Sequence, residues 1–370
     1  MEFKHFLDEL KNLQDNSTSN YDAIKSAGLP VILVGAGEMA KWVTEDLKAH
    51  DIQVAGYAVD AKYFKAGQIF LGLPIYNVEE ISKQADKYTF MLGMEDEMQG
   101  GSRAFEILTN KKFHCYPLPI NLNGSSEKID FEYVLQNCDK FKETFELLAD
   151  ELSRKTFINY LKLKVTGDRS YIDEIYFPSP YFNELTADVK NRVFVDCGAY
   201  NGDTIEKFIS WNGGKYEKIF AIEPNDTNFA QLEKFVQNKN YSNVVLFNCG
   251  VGDKKGTFTF TAEIERTRFS EFGEIKLNVE TLDDILANES VSFIKMEIQG
   301  SELNALQGAT EILKNQKPYL AVVMFHKADA LITIPQFINS VQKGYNLYLR
   351  KQTRIRDNGL LLYAIPKKKF

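Results

Sequence analysis

Two stretches constrain this chain more than any others: "VILVGAGEMA" at residues 31–40 and "VFVDCGAYNGDT" at residues 193–204. Each is an apolar run of strand length, then a glycine-punctuated turn, then residues suited to open a helix. Parallel strands must be joined by crossovers, so strand–turn–helix units imply a parallel sheet with helices on its faces. The chain therefore reads as α/β twice over, and 370 residues suffice for two such domains.

The pattern around each stretch supports this division. Residues 1–27 read as helical, and "LPVILVGAGEMAKWVTEDLKAHDIQVAGYAVD" then gives strand, turn, helix and strand in the length of one βαβ unit. "FLGLPIYNVEEISKQ" and "YTFMLGM" continue it, so residues 1–118 are expected to form a first Rossmann-like domain. Residues 119–190 carry apolar residues at helical spacing, as in "FEYVLQNCDKFKETFELLADELSRKTFINYLKLKVTG", and read as a helical connector. It closes on "YIDEIYFPSPYFNEL", an aromatic, proline-punctuated loop expected to lie over the next domain.

Residues 191–370 hold seven candidate strands: "RVFVDC", "KIFAIE", "NVVLFNC", "SFIKMEI", "YLAVVMF", "GYNLYLR" and "GLLLYAI". Helices are expected over "GDTIEKFISW", "NDTNFAQLEKFVQN", "GSELNALQGATEILKN" and "TIPQFINSVQKG". No helix signal separates the last two strands, so the final one should run antiparallel in a mainly parallel sheet. An extra polar β stretch, "GTFTFTAEIERTRFSEFGEIKLNV", interrupts the alternation after the third strand.

Composition narrows the partners. A net charge of −7 disfavours nucleic acid, which is held through clustered Lys and Arg. No apolar run approaches the roughly 20 residues of a membrane span, and "MEFKHFLDELKNL" is a charged amphipathic start, so a cytoplasmic location is expected. Cys115, Cys138, Cys197 and Cys249 lack metal-site spacing, and no metal centre is expected.

The two turns differ in chemistry. The first, Gly35-Ala36-Gly37, follows an uncharged strand end, and Asp60 ends the next strand where a ribose-binding acid would sit. Such a turn can receive a pyrophosphate, or can serve only close strand–helix packing. In the second, Asp196 precedes the glycines, where its charge would repel a phosphate but suit a ligand with a cationic amine and a sulfonium. S-Adenosyl-L-methionine is such a ligand: Gly198 and Gly202 would leave room for its amino acid part, and Glu223, ending the next strand, could accept both ribose hydroxyls.

"VFVDCGAYNGDT", "IFAIEPNDTNFAQL", "TLDDIL", "FIKMEIQGSELNALQGA" and "VVMFHKADALITIPQFI", in this order, resemble the FkbM family of adenosylmethionine-dependent methyltransferases. The first domain resembles the nucleotide-binding-like domain that precedes the transferase in some of these proteins. The resemblance implies a class I methyltransferase fold, a Rossmann-like seven-stranded sheet with its last strand antiparallel. It also implies Asp196, Gly198, Ala199, Tyr200, Asn201, Gly202, Asp203 and Thr204 around the methionine part, Glu223, Pro224 and Asn225 at the ribose, and Gly250 and Val251 beside the adenine. Where the family commonly reads K-x-D-x-E-G, this chain has Lys295-Met296-Glu297-Ile298-Gln299-Gly300.

The implied activity is O-methylation of a small-molecule or glycan hydroxyl, which needs a base for the hydroxyl proton. His326, ending the fifth strand, is the candidate base, and Glu297, ending the fourth, is expected to orient it or the acceptor. Tyr181, Phe182, Arg268 and Ser270 are candidate acceptor contacts, while Glu302 reads either as a site group or as a first-turn helix acid. Competing readings are a nucleotide-sugar or glycan binding module with a degenerate transferase, and an NAD-dependent oxidoreductase built on residues 31–60. A homodimer is compatible with the amphipathic start.

Overall fold

The computed structural model describes residues 3–16, 20–93, 129–166, 170–189, 192–263, 266–269, 275–353 and 358–367. Contacts divide the chain into two compact units, one of Met1–Tyr133 with Ile158–Glu174 and Thr353–Asp357, the other of Val134–Phe157, Ile175–Gln352 and Asn358–Phe370. The stretch read as a connector is thus divided between them, and its expected ends at 118–119 and 190–191 lie outside the described residues.

In the first unit, β1 (Val31–Val34), β2 (Val54–Val59), β3 (Ile69–Phe70), β4 (Leu73–Asn77) and β5 (Thr89–Leu92) form a sheet in the order β3-β4-β2-β1-β5. All pairs are parallel except β3 with β4. Every residue of β1 is buried because both its faces are covered. Ile32 and Val34 pack with Ala58, Val78 and Phe90, while Val31 and Leu33 pack with Ala40, Val43 and Leu47. Each buried Val, Leu, Ile or Phe among them contributes roughly 1.5–3 kcal/mol relative to exposure. Strand β1 lies between β2 and β5, so the Gly35 turn sits at a point where the strand order reverses, the usual ligand position in open α/β sheets.

In the second unit, β6 (Val193–Cys197), β7 (Lys218–Ile222) and β8 (Val244–Phe247) begin a larger sheet. The polar interruption forms a sheet of its own, from β9 (Gly250–Val251), β10 (Gly256–Glu263), β11 (Arg266–Phe269) and β12 (Ile275–Glu280). Strands β13 (Phe293–Met296), β14 (Tyr319–Val323), β15 (Tyr345–Lys351) and β16 (Leu360–Pro366) complete the larger sheet in the order β15-β16-β14-β13-β6-β7-β8. Strand β16 runs antiparallel to both its neighbours, β14 and β15, as the missing helix signal before it required.

Strand β6 is the pivot of this sheet, with β7 on one side and β13 on the other. Aromatic packing fixes it: Phe194 stacks on Phe208 at 4.4 Å and lies 5.5 Å from Phe293. The helix expected over residues 300–315 is two short ones, Glu302–Gln307 and Thr310–Asn315. Gly308 marks the break, because a Cβ there would lie 1.9 Å from the carbonyl oxygen of Gly252. The helix expected from Thr333 begins earlier, at Ala330. Among the described residues, no helix is long and apolar enough to cross a membrane.

Candidate active site

The turn after β6 is tightly wound. Gly198 and Ala199 both donate their N–H groups to the Ile222 carbonyl at 3.0 and 3.1 Å, which ties the turn to the end of β7. Gly198, Tyr200 and Gly202 have φ of 85°, 49° and 94°, and Gly202 caps the helix Asp203–Trp211. Glycine costs least at such angles. A further reason differs from the expected one. A Cβ on Gly198 would lie 2.1 Å from the Glu297 carbonyl oxygen, and one on Gly202 2.3 Å from the Phe235 ring. The protein itself takes the space, so these glycines serve packing against β13's end and a neighbouring helix before any ligand is considered.

Asp196 shares the burial of its strand and is fully inaccessible. Lys295 is its register partner on β13, also buried, with Nζ 3.0 Å from Asp196 Oδ1. The contact is an ion pair that serves Asp196 Oδ1, and Asp196 Oδ2 has no hydrogen-bond partner among the described residues. Lys295 Nζ donates instead to the Gly198 carbonyl at 2.8 Å. Burial pushes the Asp196 carboxyl up to about 6, against the opposing pull of Lys295. Burial also disfavours the Lys295 charge, but Asp196 and Glu297 outweigh it and hold the ammonium above its usual range. The pair is therefore ionic at neutral pH.

Glu223 follows β7 and is buried, accepting from the Tyr200 N–H at 2.9 Å and the Asn225 N–H at 3.0 Å. Burial raises its carboxyl, and these donors partly offset the rise. Oε1 also accepts from Asn228 Nδ2 at 3.5 Å, so the remaining acceptor capacity is at Oε2. Asn225 caps the helix Asp226–Lys239 through bonds from the Thr227 and Asn228 N–H groups, and Pro224 precedes it. Gly250 and Val251 are buried in β9, Thr204 is buried, and Asn201 Oδ1 accepts from the Asp203 N–H at 3.3 Å. The Asp203 carboxylate pairs with Lys207 on the exposed side of its helix.

Beyond β13, Glu297, expected to orient His326 or the acceptor, and His326 lie in two separate pairs. His326 Nδ1 lies 2.7 Å from Glu302 Oε1, and both side chains are buried. Glu302 also accepts from the Ile298 N–H at 3.0 Å. Burial alone would raise the Glu302 carboxyl, but His326 and these N–H donors hold it below its usual value.

Glu297 accepts from the Tyr181 hydroxyl at 2.6 Å. Tyr181 has φ 61°, unfavourable for a bulky residue, and two bonds hold it there: its N–H donates to Tyr363 Oη at 2.9 Å, and Thr186 donates to its carbonyl at 2.9 Å. Burial, then Glu297, drives the Tyr181 phenol far above its usual range. Phe182 turns into the core, with ring contacts to Phe194, Phe208, Trp211 and Phe293. Arg268 lies on β11, in the separate sheet, opposite Thr261, and Ser270 lies outside the described residues.

The first unit places its own candidates at one sheet edge. Gly35 (φ 120°) donates its N–H to the Ala58 carbonyl at 2.8 Å, which brings the turn beside the end of β2, where Asp60 is buried. Gly37 caps the helix Glu38–Ala49, and a Cβ there would meet nothing within 4 Å. Among the described residues Gly37 thus has open space where Gly198 and Gly202 have none.

Sequence reasoning missed Lys295 as a site group, although one signal was present: a lone cation inside the apolar "FIKM" strand, in the strand that neighbours "VFVDC". Residues 196–346 match the family model of the methyltransferase FkbM domain. The whole chain shares its fold with methyltransferase FkbM from Methylobacillus flagellatus KT, at TM-score 0.71 and 22% identity over 98% of both chains. An rRNA methylase from Streptococcus thermophilus aligns over 50% of this chain and 93% of its own, at TM-score 0.34 and 14% identity. A precorrin-6y C5,15-methyltransferase from Geobacter metallireducens GS-15 aligns over 53% and 95%, at TM-score 0.32 and 15% identity. A search of curated proteins found no match. Residues 196–346 are thus similar to the methyltransferase FkbM domain, and the chain has the fold of an FkbM methyltransferase.

Proposed function

We propose that this methyltransferase uses S-adenosyl-L-methionine to methylate a hydroxyl of a sugar or glycan. The observation that carries the cofactor reading is Asp196: a fully buried carboxylate beside a glycine turn, paired with Lys295 at Oδ1 and without a hydrogen-bond partner at Oδ2 among the described residues. Such a group is costly unless a ligand completes it, and a cationic amine does so where a phosphate would be repelled. Glu223, with spare acceptor capacity at the end of β7, fits a ribose diol, and Gly250 and Val251 are the family-implied neighbours of an adenine.

The bound cofactor would supply an electrophilic methyl group. The chain's own part is to hold the acceptor and take its proton. Ionised Glu302 can only accept, so the proton on the His326 ring sits at Nδ1, leaving Nε2 as the basic nitrogen. Nε2 has no hydrogen-bond partner among the described residues, and it takes the acceptor hydroxyl proton while Glu302 faces the resulting imidazolium. Tyr181 and Glu297 border the acceptor side, where a phenol ring suits a sugar face.

The test is a methyl-transfer assay with cofactor binding measured separately. His326→Ala is expected to lose turnover and keep binding; unchanged turnover would remove His326 from the mechanism. A second site is supported by the openness at Gly37. We assign the Gly35 turn and Asp60 to a nucleotide or nucleotide-sugar, to be checked by calorimetry with UDP-sugars and NAD.

A further inference from the structure

The Lys295–Asp196 pair is not explained by stability. A lysine buried in a strand core pays desolvation that a methionine of similar length would avoid, and replacing buried ion pairs by apolar residues is often neutral or stabilising. Something else must favour a cation at this position. Lys295 Nζ stands between the two halves of the site: 2.8 Å from the Gly198 carbonyl, 3.0 Å from Asp196 Oδ1 and 3.9 Å from Glu297 Oε2, with the Tyr181 ring centroid 5.7 Å away.

We propose that Lys295 is a positioning residue of the cofactor pocket: its ammonium pins the start of the glycine turn through Gly198 and holds Asp196 as an aimed carboxylate for the cationic amine of the ligand. This rests on the assignment of the Asp196 turn to adenosylmethionine. Two structural facts carry it beyond that assignment. The Lys295 bond goes to the backbone of the turn itself, at the residue wedged against the Glu297 carbonyl, so β13 fixes both the side chain and the loop of the pocket. The ion pair also leaves Asp196 Oδ2 without a donor among the described residues in a fully buried setting, an acceptor that a cationic amine would complete.

The charges facing Asp196 make the lysine necessary. Asp203 comes from the helix after the turn and Glu297 from the end of β13, both negative, and Lys295 is the cation among the described residues that opposes them. Glu223, after β7, also feels Lys295, and Tyr181 faces the group from the loop above as a neutral phenol. Burial already pushes the Asp196 carboxyl up to about 6 with Lys295 present. Without the ammonium it rises further, the carboxyl becomes neutral near pH 7, and the amine loses its counter-charge.

The experiment is calorimetric titration of the full chain with adenosylhomocysteine at about pH 7 and about pH 8.5, comparing wild type, Lys295→Met and Lys295→Arg, with folding checked by thermal melting. Lys295→Met is expected to fold and to bind at least about tenfold more weakly at pH 7, then to recover most of the loss at pH 8.5 as Asp196 regains its charge. Wild type should change little over that interval, and Lys295→Arg should fall between, because a guanidinium keeps the charge but not the point geometry. Lys295→Gln gives the same comparison if Lys295→Met does not fold. Wild-type affinity in the charge-removing variant, or a loss of equal size at both pH values, would overturn the proposal. Failure of wild type to bind adenosylhomocysteine at either pH would overturn the cofactor reading beneath it.

Discussion

Glu302 Oε1 stands 2.7 Å from His326 Nδ1 in a buried pair, whereas Glu297, expected to orient His326 or the acceptor, pairs with Tyr181. The pair fixes which ring nitrogen carries the proton. Glu302→Gln reverses this: the amide can donate to Nδ1 and stabilise the tautomer protonated at Nε2, which is not a base. Turnover should fall by roughly 10²–10⁴ in His326→Ala and by a comparable order in Glu302→Gln, with adenosylhomocysteine affinity within about twofold of wild type in both. Single-turnover methyl transfer beside calorimetry checks this.

Cofactor binding should weaken in acid through Asp196. Its carboxyl sits at about 6, so it is charged at pH 7 and largely neutral at pH 5. The apparent dissociation constant of adenosylhomocysteine is expected to rise about tenfold between pH 7 and pH 5, and Asp196→Asn should lack that dependence while binding weakly throughout. A pH series of titrations on both proteins reads it.

The two glycine turns should respond in opposite ways to alanine. Gly198→Ala sets a Cβ 2.1 Å from the Glu297 carbonyl oxygen at φ 85°, so backbone must move; a loss of several kcal/mol of stability is expected. Gly37→Ala meets open space at an ordinary φ and should cost under about 1 kcal/mol. If the first turn receives a nucleotide, Gly37→Ala should keep its melting temperature and lose nucleotide affinity. Denaturant unfolding and calorimetry separate the two effects.

Tyr363 is expected to matter more than its place on a core strand suggests. Its oxygen accepts from the Tyr181 N–H at 2.9 Å, from Asn183 Nδ2 at 3.1 Å and from Gln352 Nε2 at 3.3 Å. Tyr363→Phe leaves these buried donors without that acceptor, for a loss of about 1–3 kcal/mol in unfolding free energy. Because Tyr181 is held at positive φ by the same oxygen, the variant should also raise the acceptor KM more than it lowers kcat.

Much of this was legible in the sequence because parallel strands buried on both faces leave an unmistakable apolar run, and "VILV", "VFVDC" and "IFAIE" all became β1, β6 and β7 with their terminal residues at the carboxyl edge. The acid at the end of β6 and the one after β7 are at the site for the same reason: strand ends are fixed by the sheet. Past a strand end, the path of the chain is set by how the backbone wraps, and spacing cannot show it. Hence Glu302, four residues past Ile298, turns back to His326, while Glu297 turns to Tyr181 from a loop more than a hundred residues earlier. Phe182, one residue on from Tyr181, goes to the core, since adjacent residues of a tight turn point apart. The role of Lys295 required knowing that β13 is the neighbour of β6 and that the register sets Lys295 opposite Asp196.

The most direct measurement of the central claim is calorimetric titration of the full chain near pH 7 with adenosylhomocysteine, for wild type and Asp196→Asn. One saturable site in wild type, weakened at least about tenfold in Asp196→Asn, is the predicted result, since a desolvated charge pair is worth more than about 1.4 kcal/mol. No binding by wild type, or equal affinity in the two proteins, would contradict it.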